Sequence, residues 1–192
     1  MKKFIIGTHN DGKFREISYL LSKKIRKISP KRLNIKSPKE TGKTFKANAE
    51  LKANYFFKLT DLPVISDDSG LCIKALGNKP GIYSARWAKK YGSFNGAMKF
   101  ILKKMKKKVN RSAIFVCSLS IKLPNRKIFT VIGKIKGSIS KKIIGKRGFG
   151  YDPIFIPNSR SVTFGQMAKS EKIKMDHRYI AFQEMKKKIK IL

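Results

Sequence analysis

Acid is what this chain has least of. Only 11 of its 192 residues are Asp or Glu, against 46 Lys and Arg, which gives a formal net charge of +35. Cysteine, histidine and tryptophan are also scarce, at two, two and one. Cys72 and Cys117 both sit in apolar, strand-like runs, so they read as reduced core thiols and not as a disulfide scaffold. His177 has no Cys or His nearby in the sequence to complete a transition-metal site. No Ser-His-Asp or Cys-His arrangement carries a recognisable signature. No apolar run is long enough to span a bilayer, and the three apolar residues after "MKK" are too few for the apolar region of a signal peptide. A cytoplasmic protein is expected.

What is present suits a globular fold. Apolar residues make up 41% of the chain, enough for one domain covering 1–192 with its own core. The charge would suit nucleic acid or an acidic membrane. Its runs, "SKKIRK", "KKMKKK" and "KKKIK", lie within or beside amphipathic helix patterns, however, and a solvated lysine-rich surface accounts for them. Neither a specific nucleic acid nor a membrane is expected as a partner.

Residues 3 to 7, "KFIIG", read as a buried strand. Phe14, Ile17, Leu20 and Leu21 then place a helix over about residues 11 to 22. A second helix starts near Thr44, with Phe45, Ala49, Ala53, Phe56 and Phe57 on one side. Pro63 opens a strand that delivers Asp67 and Asp68 at its carboxyl end, and "NKPG" is a turn. Phe94, Met98, Ile101, Leu102 and Met105 mark a third helix. Period-two alternation follows in two strands: Ala113 to Leu123, then Phe129 to Ile139, joined through "PNRK". Tyr179, Phe182, Met185 and Ile189 mark a last helix. The pattern has no repeat and no linker, and it predicts an α/β or α+β domain around a mixed sheet.

Three stretches carry chemistry. "GTHNDGK" is a strand, a tight polar turn and a helix start, where backbone N–H groups, the helix dipole and Lys13 attract phosphate. It lacks the glycine spacing of a Walker loop, and Asp11 would also serve as a plain helix cap. Asp67 and Asp68 should point to opposite faces of their strand. One of them is suited to hold Mg²⁺ or take a proton from water, while the other could fix a turn at Ser69 and Gly70. Glu40, in "SPKETGKTF", could join the metal or simply favour a helix N-terminus. Late in the chain, Phe149 and Tyr151 offer rings for stacking on a base or for the core. Lys172, His177 and Arg178 are donors near the last helix, with Asp176 as its cap.

In order, "TxNxxK", "ETGxTF", "DDSGL", "PGIYSARWA", "GFGYDPIF" and a final "HR" resemble the inosine triphosphate pyrophosphatase family from residue 8 to residue 178. The resemblance implies an elongated, two-lobed α/β fold, usually a homodimer with the substrate cleft between lobes. It also implies Mg²⁺-dependent hydrolysis of non-standard purine nucleoside triphosphates (ITP, dITP, XTP) to monophosphate and pyrophosphate. Residue by residue, it implies that Thr8, Asn10, Lys13 and Lys52 meet the triphosphate and that Ser69 contacts substrate. Glu40 and Asp68 fall at the Mg²⁺ site, with Asp68 the proton acceptor and Asp67 its neighbour. Phe149, Gly150, Tyr151 and Asp152 form the base-recognition strand, completed by Lys172, His177 and Arg178. Ala47 stands where the family usually has glutamate, while Asp176 and Tyr179 replace a serine and a glycine. The rival readings are a basic nucleic-acid-binding protein and a pyrophosphatase for modified pyrimidine nucleotides.

Overall fold

Phe4, Ile5 and Ile6 are wholly buried in β1 (Lys2–Ile6), the first strand of a computed structural model that describes residues 2–189. A short run buried on both faces is what parallel pairing requires. β1 lies between two parallel neighbours, β2 (Ile25–Ile28) and β3 (Val64–Ile73), with Ile5 opposite both Ile28 and Val64. β3 also pairs antiparallel with β4 (Lys79–Pro80). β6 (Phe129–Ile139) pairs antiparallel with β7 (Phe155–Pro157). With β5 (Ser112–Lys122), the described residues form one mixed seven-stranded sheet in the order β2-β1-β3-β5-β6-β7, with β4 on β3. The expected mixed α/β architecture is therefore the observed one.

Six α-helices accompany the sheet among the described residues: α1 (Asp11–Leu20), α2 (Phe45–Thr60), α3 (Ser84–Lys90), α4 (Phe94–Met105), α5 (Lys169–Lys172) and α6 (His177–Lys188). Side-chain oxygens start three of them, accepting from a backbone N–H three residues on: Asn10 for α1, Thr44 for α2 and Ser93 for α4. Such caps satisfy donors that the helix itself leaves open. None of the helices is long and apolar enough to cross a membrane.

The chain forms two compact units. The first comprises the segments up to Asp68, Cys117–Gly133 and from Arg178 onward; the second comprises Ser69–Val116 and Lys134–His177. The first has a core of Phe4, Ile6, Ile17, Ile65, Leu119, Phe182 and Met185, and a smaller cluster of Ile5, Ala53, Phe56 and Val64. The second is centred on Leu71, Ile101, Phe115, Tyr151, Phe155 and Phe164.

Two expectations need correction, and two elements, β2 and α3, went unread in the sequence. Asp67 and Asp68 are not at a strand end: β3 runs on through Ser69 and Gly70 to Ile73, so neither aspartate fixes a turn there. β2 has no strand-like signal because only two of its residues are apolar, and its lysine and arginine belong to the run that looks helical. α3 is too short for periodicity to show. The segment around Phe149 and Gly150 is a turn leading into a 3-10 helix at Asp152–Ile154, not a recognition strand. Of the lysine runs, the last extends to Lys190, outside the described residues.

Candidate active site

β1 ends at Ile6, and the chain turns directly into α1. The Asn10 N–H donates to Thr8 Oγ1 (3.1 Å), and Asn10 Oδ1 accepts from the Lys13 N–H (3.0 Å). Asn10 therefore fills the capping role expected of Asp11. Asp11 is the first helical residue, and its carboxylate pairs with Lys31 at 2.6 Å on the surface. His9 Nε2 lies 2.9 Å from the carbonyl of Ile35, joining this turn to the segment that leads to Glu40.

β3 sends its two aspartates to different partners, as strand alternation requires. Asp67, wholly buried, accepts from Arg178 Nε at 3.2 Å and lies 3.3 Å from Lys13 Nζ through the same oxygen. Arg178 also donates through Nη1 to Glu16 on α1, at 2.7 Å. Asp68 accepts from Asn48 Nδ2 at 3.1 Å, and its other oxygen lies 3.9 Å from Lys52 Nζ. Lys52 in turn donates to Glu40. Asn48 and Lys52 are one turn apart on the inward face of α2, so a single helix presents both to the carboxylate. Asn48 Oδ1 accepts from Gly42 N–H (2.8 Å), tying the segment beside Glu40 to Asp68.

The electrostatics follow from this packing. Burial pushes the Asp68 carboxyl above its ordinary value; Lys13 and Lys52 pull it down without cancelling the effect. Burial alone would lower the Lys52 ammonium, but Asp68, Glu40 and Asp67 outweigh it, so Lys52 is raised and stays charged. A carboxylate raised by burial beside fixed cations is the usual setting of a general base.

A second cluster lies within the other unit. Gly148 and Gly150 adopt φ of +75° and +68°, a conformation that suits glycine. The turn they make lets Asp152 accept from the Phe149 N–H at 2.8 Å. The same Asp152 oxygen accepts from Lys172 Nζ at 2.7 Å. Lys172 also lies 4.0 Å from Asp176 and over the rings of Phe149 (5.0 Å) and Phe164 (5.6 Å). The His177 ring stacks on Phe115 at 4.8 Å, nearly parallel. Tyr151 is buried, packs edge-on against Phe94, and donates its hydroxyl to the Ser84 carbonyl at 2.9 Å.

The chain and its fold find counterparts in known proteins. The profile of the Ham1 family matches residues 4–188. The chain belongs to the Ham1 family. It is 40% identical to a dITP/XTP pyrophosphatase of Caulobacter vibrioides, over 96% of each chain. It is 37% identical to a dITP/XTP pyrophosphatase of Bacillus subtilis, over 97% of this chain and 96% of that one. Its fold superposes on the Ham1 protein of Staphylococcus aureus with a TM-score of 0.86 at 33% identity, covering 97% of both chains.

In this Ham1 chain, Glu40, Lys52 and Asp68 come together, and Thr8, Asn10 and Lys13 share one turn. Phe149, Asp152 and Lys172 form one contact group, while Tyr151 serves as core. Ser69 is half-buried in β3. The hydrogen bonds from Arg178 run to Asp67 and Glu16. Two members of the network escape sequence reasoning, Glu16 and Asn48. Glu16 is one of few acids, next in α1 to the buried Ile17, and that scarcity is its one signal. Asn48, a polar residue beside the apolar Ala49 and Ala53 stripe, could have been suspected because a buried amide needs partners.

Proposed function

We propose that this Ham1-family chain hydrolyses non-standard purine nucleoside triphosphates to the nucleoside monophosphate and pyrophosphate. The observation that carries the reading is Asp68, a buried carboxylate oriented by Asn48 and Lys52 with Glu40 on the same ammonium. Water attacks the α-phosphorus and gives its proton to Asp68; the bond to the oxygen bridging toward the β-phosphorus breaks, and pyrophosphate leaves. Lys13, Lys52 and the N-terminus of α1 offset charge on the leaving group.

Glu40 and Asp68, grouped by Lys52, fit a magnesium site. Mg²⁺ commonly takes one or two carboxylates and completes its shell with water and substrate phosphates. No group of three or more metal-ligating side chains occurs among the described residues, so two carboxylates and the substrate would share the ion. When bound, Mg²⁺ supplies charge neutralisation on the phosphates. The reading extends to a homodimer working in the cytoplasm.

Base choice falls to Phe149, Gly150 and Asp152, with Lys172, His177 and Arg178 donating toward the 6-keto oxygen of hypoxanthine or xanthine. Adenine presents an amino donor there. A site whose buried donors go unpaired can reject a substrate by roughly 10⁴ to 10⁵.

A nucleotide panel tests this. With Mg²⁺, ITP, dITP or XTP is expected to give monophosphate and pyrophosphate; without it, turnover is lost. Inosine diphosphate and free phosphate as main products would refute the cleavage position, and a preference for modified pyrimidine nucleotides would refute the base assignment.

Asp176 gives a separate prediction. It is wholly buried, immediately before α6, with its carboxylate facing Lys172. In this reading its carboxylate accepts a hydrogen bond from N1–H of a 6-keto purine, which adenine lacks. Asp176→Ser is expected to fold and to lower the ratio of ITP to ATP turnover. An unchanged ratio would leave Asp176 with a structural role only.

A further inference from the structure

α3 and α4 pack on each other within the second unit and carry a set of aromatic rings that the proposed chemistry does not use. The Tyr91 and Phe100 rings stack at 4.3 Å, and Trp87 meets both edge-on, at 6.1 and 5.5 Å. All three are half-buried, and Tyr83, just before α3, is 46% exposed. Cations lie over these rings: Arg86 over Tyr83 at 5.0 Å, Lys90 over Tyr91 at 5.7 Å and Lys104 over Phe100 at 5.7 Å. There is no Asp or Glu between Ser69 and Tyr151. Neither helix, nor any segment joining them, carries a countercharge.

We propose that this aromatic and cationic face is a stacking platform for single-stranded nucleic acid. A base has a flat π-face to lay on a part-exposed ring, and the phosphate that follows it meets the adjoining cation; alternation of the two is how sequence-tolerant single-strand binders work. A solvated lysine surface needs no rings among its charges. A second copy of this chain suits the face poorly, because a two-fold contact would set lysine and arginine against their own copies, and neither helix carries an acid to offer across it. A polyanion removes that repulsion.

Trp87 is the only tryptophan, so its fluorescence reports on this face alone. The experiment titrates the intact protein with an oligothymidylate about a dozen nucleotides long and lacking any triphosphate end, at low and high salt. Expected are quenching of Trp87 and an affinity that falls as salt rises. Tyr83→Ala keeps every charge and is expected to weaken binding about tenfold. Lys90→Ala/Lys104→Ala should weaken it at least as much. Lys23→Ala/Lys24→Ala, which removes two exposed charges elsewhere, should bind nearly as the parent does, and all three variants should keep ITP turnover. Four results would overturn the proposal: no binding; binding without a change in Trp87 emission; equal weakening in both lysine pairs with Tyr83→Ala unaffected; or emission that follows protein concentration and ignores the oligonucleotide, which would assign the face to a second copy.

Discussion

Asp68→Asn is expected to slow ITP turnover by roughly 10² to 10⁴, the usual loss for a single general base, without lowering the melting temperature. The chemical half of this expectation rests on what the amide keeps and what it loses. Its oxygen can still accept from Asn48, which holds Asp68 at 3.1 Å, so the shape survives. It cannot take a proton from water or lend a charge to a metal, and weaker Mg²⁺ affinity should add to the loss.

The stability half follows from burial. The Asp68 carboxyl titrates above its ordinary value because burial outweighs Lys13 and Lys52. A carboxyl whose pKa is higher folded than unfolded favours the fold while protonated, and that contribution is lost as pH rises through the folded-state value. At neutral pH the charged Asp68 therefore costs stability in the ligand-free protein, and a neutral amide removes that cost. Lys52 keeps Glu40 as a partner. Pyrophosphate release and thermal melting, measured on the same preparation without nucleotide or metal, check both halves. Near-parental turnover at saturating Mg²⁺ would move the proton acceptor to Asp67 or Glu40. Lost turnover with a much lower melting point would mean that Asp68 holds the fold together.

Helices with a clear apolar face and a side-chain cap were legible in the residues. Thr44 starts α2 and Ser93 starts α4 where the patterns of Ala49, Ala53 and Phe56, and of Met98, Ile101 and Met105, place them. The alternation from Ala113 to Leu123 likewise marks β5. What stayed hidden depends on tertiary context. β2 is a strand because β1 offers it a parallel partner, and its own residues, Ile25, Arg26, Lys27 and Ile28, read as part of a charged run. The aspartates of β3 looked terminal because "SDDSG" is polar, yet neighbours from α1, α2 and α6 satisfy them inside the strand. At the candidate site, motif order located the residues but not their pairing. Nothing in the spacing says that Arg178 meets Asp67 across 111 positions, or that Glu16 completes the contact.

Arg178→Met is expected to be the most destabilising of these changes, because it removes one guanidinium from two buried carboxylates. Arg178 bonds Asp67 through Nε at 3.2 Å and Glu16 through Nη1 at 2.7 Å; both acids and the arginine itself are buried. Asp67 keeps Lys13 at 3.3 Å, whereas Glu16 loses the guanidinium it bonds. Removing one partner of a buried ion pair costs about 3–5 kcal/mol, since the charge left behind remains desolvated. For a chain of this size, each kcal/mol moves the melting temperature by roughly 2–4 °C, so a fall of about 6–20 °C follows. Arg178→Lys should fall in between, because a single ammonium lacks the planar fork that reaches two carboxylates at once. Glu16→Gln placed in the Arg178→Met background should recover part of the loss by removing a buried charge that has lost the guanidinium. Melting of the four proteins, the two single changes, the double and the parent, gives the coupling between Glu16 and Arg178 directly. Independent, additive effects would show that the contact contributes nothing. The ratio of ITP to ATP turnover in Arg178→Lys reads the second role of this side chain: a shifted ratio at parental stability would show that the guanidinium serves base choice beside its bonds to the carboxylates.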